Sequence, residues 1–537
     1  MYSLYSNQNY IYTYEDHTCS TAWSSNYAVA VYAQQYDTRS ELTIKSTVQD
    51  GGTTYTVVAI GEQFFWYNNT ATKLTIPATV RTLETFALED NTSNLREIVI
   101  EDSGDKLECF RTSKSYGAFS WNGGLKKVYI GRKLYPVGNS DDYAPFYKGD
   151  FTNLEVTFGP FVDYIYGYTF YNNSIKSIKA MPALPPNWEA YAFGGVSSNI
   201  PVYVSYKTID AYKAHSDWNY FTNYVLDTEL CKTDALNDLD AEAGENPSAT
   251  LQGVVSDYKG QINAASSGDE VVEKLNAGKA AIQLQKAKDA AIAALNTEAG
   301  GSPSQAVAGV RDTWITNVNN AGTITDVETQ KNNGIAAIQL QKAKDAAIAA
   351  LNTEAGNSPS EAVANVRDTW KANVNNAGTI ADVNTQRDNG IAAIRLQIAK
   401  ETAIAALNAT AETNPSDAAA GIVSTYTDRI NAATTTDGVT NEKDAGIQAL
   451  AEAKELQDAK TTAFSALMAE AGQSPSEEVA KVRDTWKANV NKAGTIADVN
   501  TQRDNGIAAI RLQIAKETAI AALNATAETN PSDAAAG

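Results

Sequence analysis

Apolar positions follow two regimes along the chain, and the change comes near residue 230. From about residue 40 to 230 they alternate in short bursts: Leu74 and Ile76, Leu95, Ile98 and Ile100, Leu125, Val128 and Ile130, Leu154, Val156 and Phe158, Ile175 and Ile178, Ile200, Val202 and Val204. A period of two puts alternate side chains on one face of a strand, so each burst predicts a short β-strand. The bursts recur along the chain, each five to nine positions after a phenylalanine: Phe65, Phe86, Phe119, Phe146, Phe170 and Phe193. One strand and one buried ring per coil is a solenoid unit, in which stacking of coils makes the core. The segment 1–40 reads as an N-terminal β cap.

Beyond residue 230 the period becomes helical. Val363, Val366, Trp370 and Val374 recur at three, four and four positions, one apolar stripe on a helix. Ser358 reads as its N-cap, with Pro359 at the first helical position and Glu361 completing a capping box. Ser474, Asn414 and Asn246 suit the same capping place. Ala377-Gly378 closes the helix. Thr379 starts the next, carrying Ile380 and Val383, and Ile391, Ile394, Ile404 and Leu407 follow Gly390. Three helices per unit is the favoured reading. The alternative is two, the second running through Gly390 at a cost of about 1 kcal/mol relative to Ala.

This region repeats. Pro247, Pro303, Pro359, Pro415, Pro475 and Pro531 mark successive copies, equally spaced except for one interval that is four positions longer. Gly278, Gly334, Gly390, Gly446 and Gly506 follow the first five prolines at a constant distance. The four extra positions fall between Gly446 and Pro475, about one helical turn, so the helix can lengthen and nearly keep its apolar face. Tyr258, Trp314, Trp370, Tyr426 and Trp486 stand eleven positions after each proline. Lying on the apolar stripe, each is expected to fill the centre of its own bundle rather than to build a ligand ladder. Residues 364–421 and 480–537 differ only at Asn365/Lys481 and Asn376/Lys492, so the latest duplication unit runs from 364 to 479, two repeats together. Near-identical copies carry few unique side chains and suit spacing better than catalysis. At 1.5 Å per residue an 18-residue helix is about 27 Å, so five stacked units would reach on the order of 130 Å.

The expected fold is therefore multidomain α+β: a solenoid-like head at 1–230, then helical repeats at 235–302, 303–358, 359–414, 415–474 and 475–530, with 531–537 opening a sixth. Composition adds one contrast: of 27 tyrosines, only Tyr258 and Tyr426 lie beyond residue 230. The net charge of −20 disfavours nucleic acid and anionic membrane surfaces as partners. No apolar run is long enough to span a membrane, and the first residues lack a signal peptide's basic and apolar regions. Both ends look cut, so any export signal or anchor is expected outside this sequence.

Two resemblances extend this. The passage from Asn373 to Ile394 resembles the repeat closing of helical-bundle arrays in giant bacterial cell-wall adhesins of the Ebh and FIVAR type. Over 235–537 the resemblance implies three-helix bundles, extracellular placement and an extending role. Tyr55 to Glu62 leading to Leu74 to Val80, with the pairs Ala118-Phe119 and Ala192-Phe193, resembles BspA-like leucine-rich repeats of bacterial surface proteins over about 50–226. Ile200 to Lys213 with Trp218 is similar to that family's terminal cap, where a short helix shields the last coil. Coil spacing is irregular here, and the coil around Gly131 to Gly149 is expanded.

Catalytic patterns are missing from the sequence. There is no Gly-rich phosphate loop and no GxSxG elbow, and His17 and His215 are the two histidines. Cys19, Cys109 and Cys231 are far apart, fitting neither a disulfide framework nor a zinc site. No cofactor, no metal and no enzymatic activity are expected. Lys148-Gly149-Asp150 matches an integrin-binding tripeptide, a match short enough to arise by chance. Tyr164, Tyr166 and Tyr168 alternate and would share one strand face. They read as ligand contacts, since tyrosine offers area with a polar end, or as solenoid packing. The expected function is a surface adhesin or recognition protein, its head binding an extracellular protein or glycan and its helices acting as a stalk. The alternative is a filament or virion-fibre component that self-associates.

Overall fold

The computed structural model describes residues 39–529 except 51, 62–63, 66–67, 69, 85–86, 89–93, 111–116, 121, 138–143, 148 and 150; within 1–38 it describes only the backbone of four short strands. The chain packs as two units, Met1–Ala290 with Gly322–Val327, and Ala291–Ala321 with Glu328–Gly537.

The first unit contains a solenoid. Eight strands form one parallel sheet in the order Glu41–Thr43, Lys73–Ile76, Glu97–Ile100, Lys127–Ile130, Leu154–Phe158, Ile175–Ala180, Pro201–Val204 and Asn223–Leu226. Every expected strand is among them. Register explains the core: Leu74, Ile98, Val128, Val156, Ile178 and Val202 stack on one another and are all buried. A one-residue slip would turn that column to solvent, which is why alternation specifies the pairing. The phenylalanines form a second column. Phe119–Phe146, Phe146–Phe170 and Phe170–Phe193 stack at 4.5, 5.3 and 5.3 Å. Phe86 lies outside the described residues.

A second sheet has no counterpart in the expectations. Thr53–Ile60, Thr82–Leu83, Leu107–Phe110 and Leu134–Val137 pair in parallel. At its edge Tyr27–Ala30 pairs with Thr53–Ile60, and Tyr2–Tyr5 runs antiparallel to Tyr27–Ala30. Those last two are strands of the expected N-terminal cap; their side chains lie outside the described residues.

At the other end helix α1 (Ile209–Ala214) and a 3-10 turn (Trp218–Tyr220) close the last coil, as the sequence leads one to expect. Trp218 is fully buried and donates Nε1–H to the Pro186 carbonyl at 2.8 Å. Its ring lies 4.8 Å from Tyr212 and 5.1 Å from Trp188.

Helix α2 (Thr228–Ala243) follows the last strand with no linker. Asp227 caps it through Leu230 N at 2.8 Å and also accepts from Lys179 at 2.9 Å. Tyr206 and Leu226 of the solenoid pack against the core of the first bundle, around Cys231, Ala235 and Leu239. Asp238 of α2 accepts from Tyr206 at 3.0 Å and from Lys279 at 2.9 Å, and pairs with Lys207 at 2.6 Å. Desolvation pushes its carboxyl up, but hydrogen bonds from Lys207, Lys279 and Tyr206 outweigh this and hold the pKa at about 2.

Short and long helices then alternate: α3 (Ala249–Ala264), α4 (Gly268–Ala299), α5 (Gln305–Asn320), α6 (Ile324–Ala355), α7 (Glu361–Asn376), α8 (Ile380–Thr413), α9 (Ala419–Ala432), α10 (Thr436–Ala471), α11 (Glu477–Lys492) and α12 (Ile496–Thr529). This corrects the favoured reading of three helices per repeat. There are two, and the long one runs through its glycine. A three-helix bundle arises by sharing: one core unites Leu351 and Ala355 of α6, Val363 and Val374 of α7, and Val383 and Ile394 of α8. The second half of α8, through Ala403 and Leu407, belongs to the following core with Ile430 of α9 and Leu450 of α10.

The nine steps from Ile394 to Ala403 turn the helix through about 900°, two and a half turns, so its two core faces are opposite. In α10 the corresponding interval, Leu450 to Ala463, is thirteen steps, and α10 is 36 residues long against 32 for α6. The insertion is one added turn between the two faces, as expected. Because it exceeds a full turn, it rotates the second face by about 40°.

The glycine is a notch rather than a break. A Cβ on Gly390 would stand 2.6 Å from Leu351 Cδ2 and 2.8 Å from Trp370 Cβ, and Gly278, Gly334, Gly446 and Gly506 meet their own leucine and aromatic in the same way. The aromatics are consequently half-buried beside these notches and not at the bundle centres.

Capping also differs from expectation. The N-cap is Ser360, not Ser358: its Oγ accepts from Val363 N at 3.1 Å and donates to Glu401 at 2.6 Å. Ser248, Ser304 and Ser476 cap their helices likewise. Pro359 therefore precedes the cap, where its missing N–H costs nothing. In the fourth repeat α9 begins late, at Ala419, without a side-chain cap, and Ser416 Oγ is buried with no partner among the described residues. Thr379 caps α8 through Asp382 N at 3.1 Å, as expected. Gly378 lacks a positive φ; the left-handed glycines of the helical region are Gly244, Gly300, Gly356 and Gly472, which close long helices or α2. Leu523 on α12 repeats Leu407 on α8 yet is 69% exposed where Leu407 is 0%, which shows how much α9 and α10 cover.

Candidate recognition surface on the solenoid

Coil by coil, a phenylalanine enters the core from a tight turn. Three positions after Phe65, Phe119 and Phe170 stand Asn68, Asn122 and Asn173, all buried. Asn122 Nδ2 donates to the carbonyls of Leu88, Phe119 and Ser120, and Asn173 Nδ2 to that of Phe146. These amides tie each turn to the coil before it. The Phe-x-x-Asn spacing is the sequence signal for them, one that strand alternation does not bring out.

Tyr164, Tyr166 and Tyr168 do not share one strand face. The strand ends at Ile165, where Tyr164–Ile165 pairs with Asn187–Trp188, and the chain then turns. Tyr164 and Tyr166 sit together, centroids 4.9 Å apart, with Tyr135 5.3 Å from Tyr166. The Tyr164 hydroxyl donates to Glu189 Oε1 at 2.9 Å, while Gly167 N donates to Oε2 at 2.8 Å. Lys106 lies 4.0 Å over the Tyr135 ring. Burial pushes the Tyr166 hydroxyl up to about 12. Nearby, Arg132 is fully buried and donates to the carbonyls of Pro77, Ala78 and Val80 at 2.6 to 2.9 Å. Desolvation lowers its pKa to about 10, so it stays charged at neutral pH and acts as a clamp on that turn. The cavity between Arg132 and Tyr166 has room for about one water molecule.

Tyr168 joins a different group. It stacks on Tyr191 at 5.2 Å, meets Tyr171 at 5.3 Å, and lies 6.2 Å from Tyr147; Tyr147 and Tyr171 are 6.0 Å apart. Tyr191 is 60% exposed. Tyr168 and Tyr191 adopt φ of 57° and 62°, in the left-handed region. Asn153, Asn172 and Asn246 share that region as their short polar side chains allow, but a bulky residue there is uncommon. Gly194 makes room: a Cβ on it would come within 2.7 Å of the Tyr171 ring.

Cys109 and Cys231 are buried free thiols, and burial pushes both pKa values up, away from reactivity. His215 Nδ1 accepts from Asp217 N at 3.2 Å inside the cap. Lys148, Asp150, Cys19 and the His17 side chain lie outside the described residues. Among the described residues no cluster of His, Cys, Asp or Glu could hold a metal, and no helix is long and apolar enough to cross a membrane.

Two solved structures are similar to the chain. One, a leucine-rich cell surface protein from Faecalibacterium prausnitzii A2-165, is 18% identical over 41% of this chain and 55% of its own, with a TM-score of 0.23. The other, from Bacteroides ovatus ATCC 8483, is a leucine-rich-repeat protein 14% identical over 41% of this chain and 75% of its own, with a TM-score of 0.12. The chain thus spans about half the length of the first. No protein-family model and no curated protein matches the chain. The solenoid is defined by its own strand register.

Proposed function

We propose that this is a non-enzymatic, extracellular or cell-surface recognition or adhesion protein. Its solenoid binds a host or matrix protein or a glycan, and its helical repeats act as a spacer that holds the solenoid away from the surface. The observation that carries this reading is the contrast between the two regions. The solenoid presents unique, partly exposed aromatic side chains on an ordered ridge, two of them in an unfavourable backbone conformation. The helical repeats offer copies of one design whose distinctive side chains, Trp370 and its counterparts, are used in packing.

The test is a division of the chain. Because Tyr206 and Leu226 pack on the first bundle, a cut at residue 230 would strip them of their partners; the cut belongs after α4, at Ala299. Residues 1–299 are expected to bind a matrix-protein and glycan array with the affinity of the whole chain, measured by surface plasmon resonance. Binding that resides in residues 300–537 would contradict the reading.

A further inference from the structure

We propose that Tyr168, Tyr171 and Tyr191 form a shelf that binds a neutral saccharide. This rests on the recognition reading above and names the ligand class for it.

The three rings come from two consecutive coils, are linked by contacts of 5.2 to 6.3 Å, and are backed by Tyr147, which is buried. A pyranose ring presents a face of C–H groups that stacks on an aromatic face, with hydroxyls around the edge for phenolic partners. A peptide strand would instead need free backbone groups. Those of the ridge are already paired between coils, Phe170 N to Ala192 O at 2.8 Å and Asn172 N to Gly194 O at 2.7 Å. Within residues 1–230 acidic side chains outnumber basic ones, 24 to 17, which disfavours sulfated or otherwise polyanionic chains and favours neutral ones.

Backbone conformation is the independent observation. Residues 168 and 191 precede Phe170 and Phe193 by two positions, equivalent places in successive coils, and both hold a tyrosine at positive φ. Glycine would relieve the strain at each, so the side chain is what the position retains. At Tyr191 little burial would be lost with it, since the residue is 60% exposed.

The full chain and its Tyr191→Gly and Tyr191→Asn variants would be titrated with neutral hexasaccharides of glucose, mannose, galactose and xylose, with heparin, and with gelatin and fibronectin. Asparagine tolerates positive φ, so it keeps the test open if glycine loosens the turn. The expected result is binding of at least one neutral hexasaccharide that falls about tenfold or more in both variants, at an unchanged or higher melting temperature. Saccharide binding unaffected by either variant would overturn the shelf. Heparin alone binding would overturn the neutral ligand. Binding of gelatin or fibronectin without any saccharide would overturn the saccharide while leaving the recognition reading intact. A chain that binds none of these probes would count against both.

Discussion

Trp218→Ala is expected to lower the stability of the solenoid by about 3–5 kcal/mol, the cost of removing a large, fully buried ring. Trp218 is 0% exposed and is packed by Tyr212, Trp188, Phe221, Phe158 and Phe193 at 4.8 to 6.2 Å. Its deletion also orphans the Pro186 carbonyl. The position matters as much as the volume. A solenoid has no closed core, so its last coil depends on what covers it. Here α1 with the Trp218 turn is part of that cover, beside the first helical bundle on which Tyr206 and Leu226 pack. For a unit of this size the loss corresponds to a fall of roughly 10 °C in the first calorimetric transition. Trp218→Phe, which keeps a ring, should lose less than half as much. An unshifted transition in the alanine variant would mean that the cap does not seal the solenoid.

Gly390→Ala and Gly309→Ala should change stability in opposite directions. Helix propensity alone favours alanine at either site by about 0.5–1 kcal/mol. Gly309 lies in α5 with nothing within 4 Å of where a Cβ would stand, so that gain should appear in full. At Gly390 the new methyl would meet Leu351 Cδ2 at 2.6 Å and Trp370 Cβ at 2.8 Å. The leucine tip can rotate, but Trp370 Cβ is fixed to α7, so the two helices must separate. Overpacking of this kind costs about 1–3 kcal/mol, which outweighs the propensity gain. Chemical denaturation of the full chain, read by tryptophan fluorescence, should show the helical transition move down for Gly390→Ala and up for Gly309→Ala. Stabilisation by both would mean that the glycine is not a packing notch.

The glycines illustrate what can and cannot be read from residues. Their period is plain, but the reason for each lies on a neighbouring helix, and local rules offer only a helix break. Alternation at Leu74, Ile98, Val128 and Val156 is legible because one face of that sheet is buried and the other is not. Leu107–Phe110 is buried on both faces and shows no alternation, so that strand of the second sheet leaves no signal. The cap serine is displaced by two positions from the expected one because Pro359 suits the first turn of a helix as well as the place just before a cap. The tyrosines stand out by composition. Their grouping differs from the expected one because alternation does not continue past Ile165, where the strand stops, and Tyr168 turns away to join Tyr171 and Tyr191.

The proposed division of labour depends most on the helical repeats adding length. Deleting residues 364–479 joins Val363 to Ala480 and removes two repeats without altering the pattern, since 364–421 and 480–537 are near copies. Small-angle scattering of the full chain and this variant measures the consequence directly. Two bundles of about 27 Å each should disappear from the maximum dimension, a fall of roughly 50 Å, with solenoid binding unchanged. A maximum dimension that shrinks only as a compact globule of that mass would contradict the spacer.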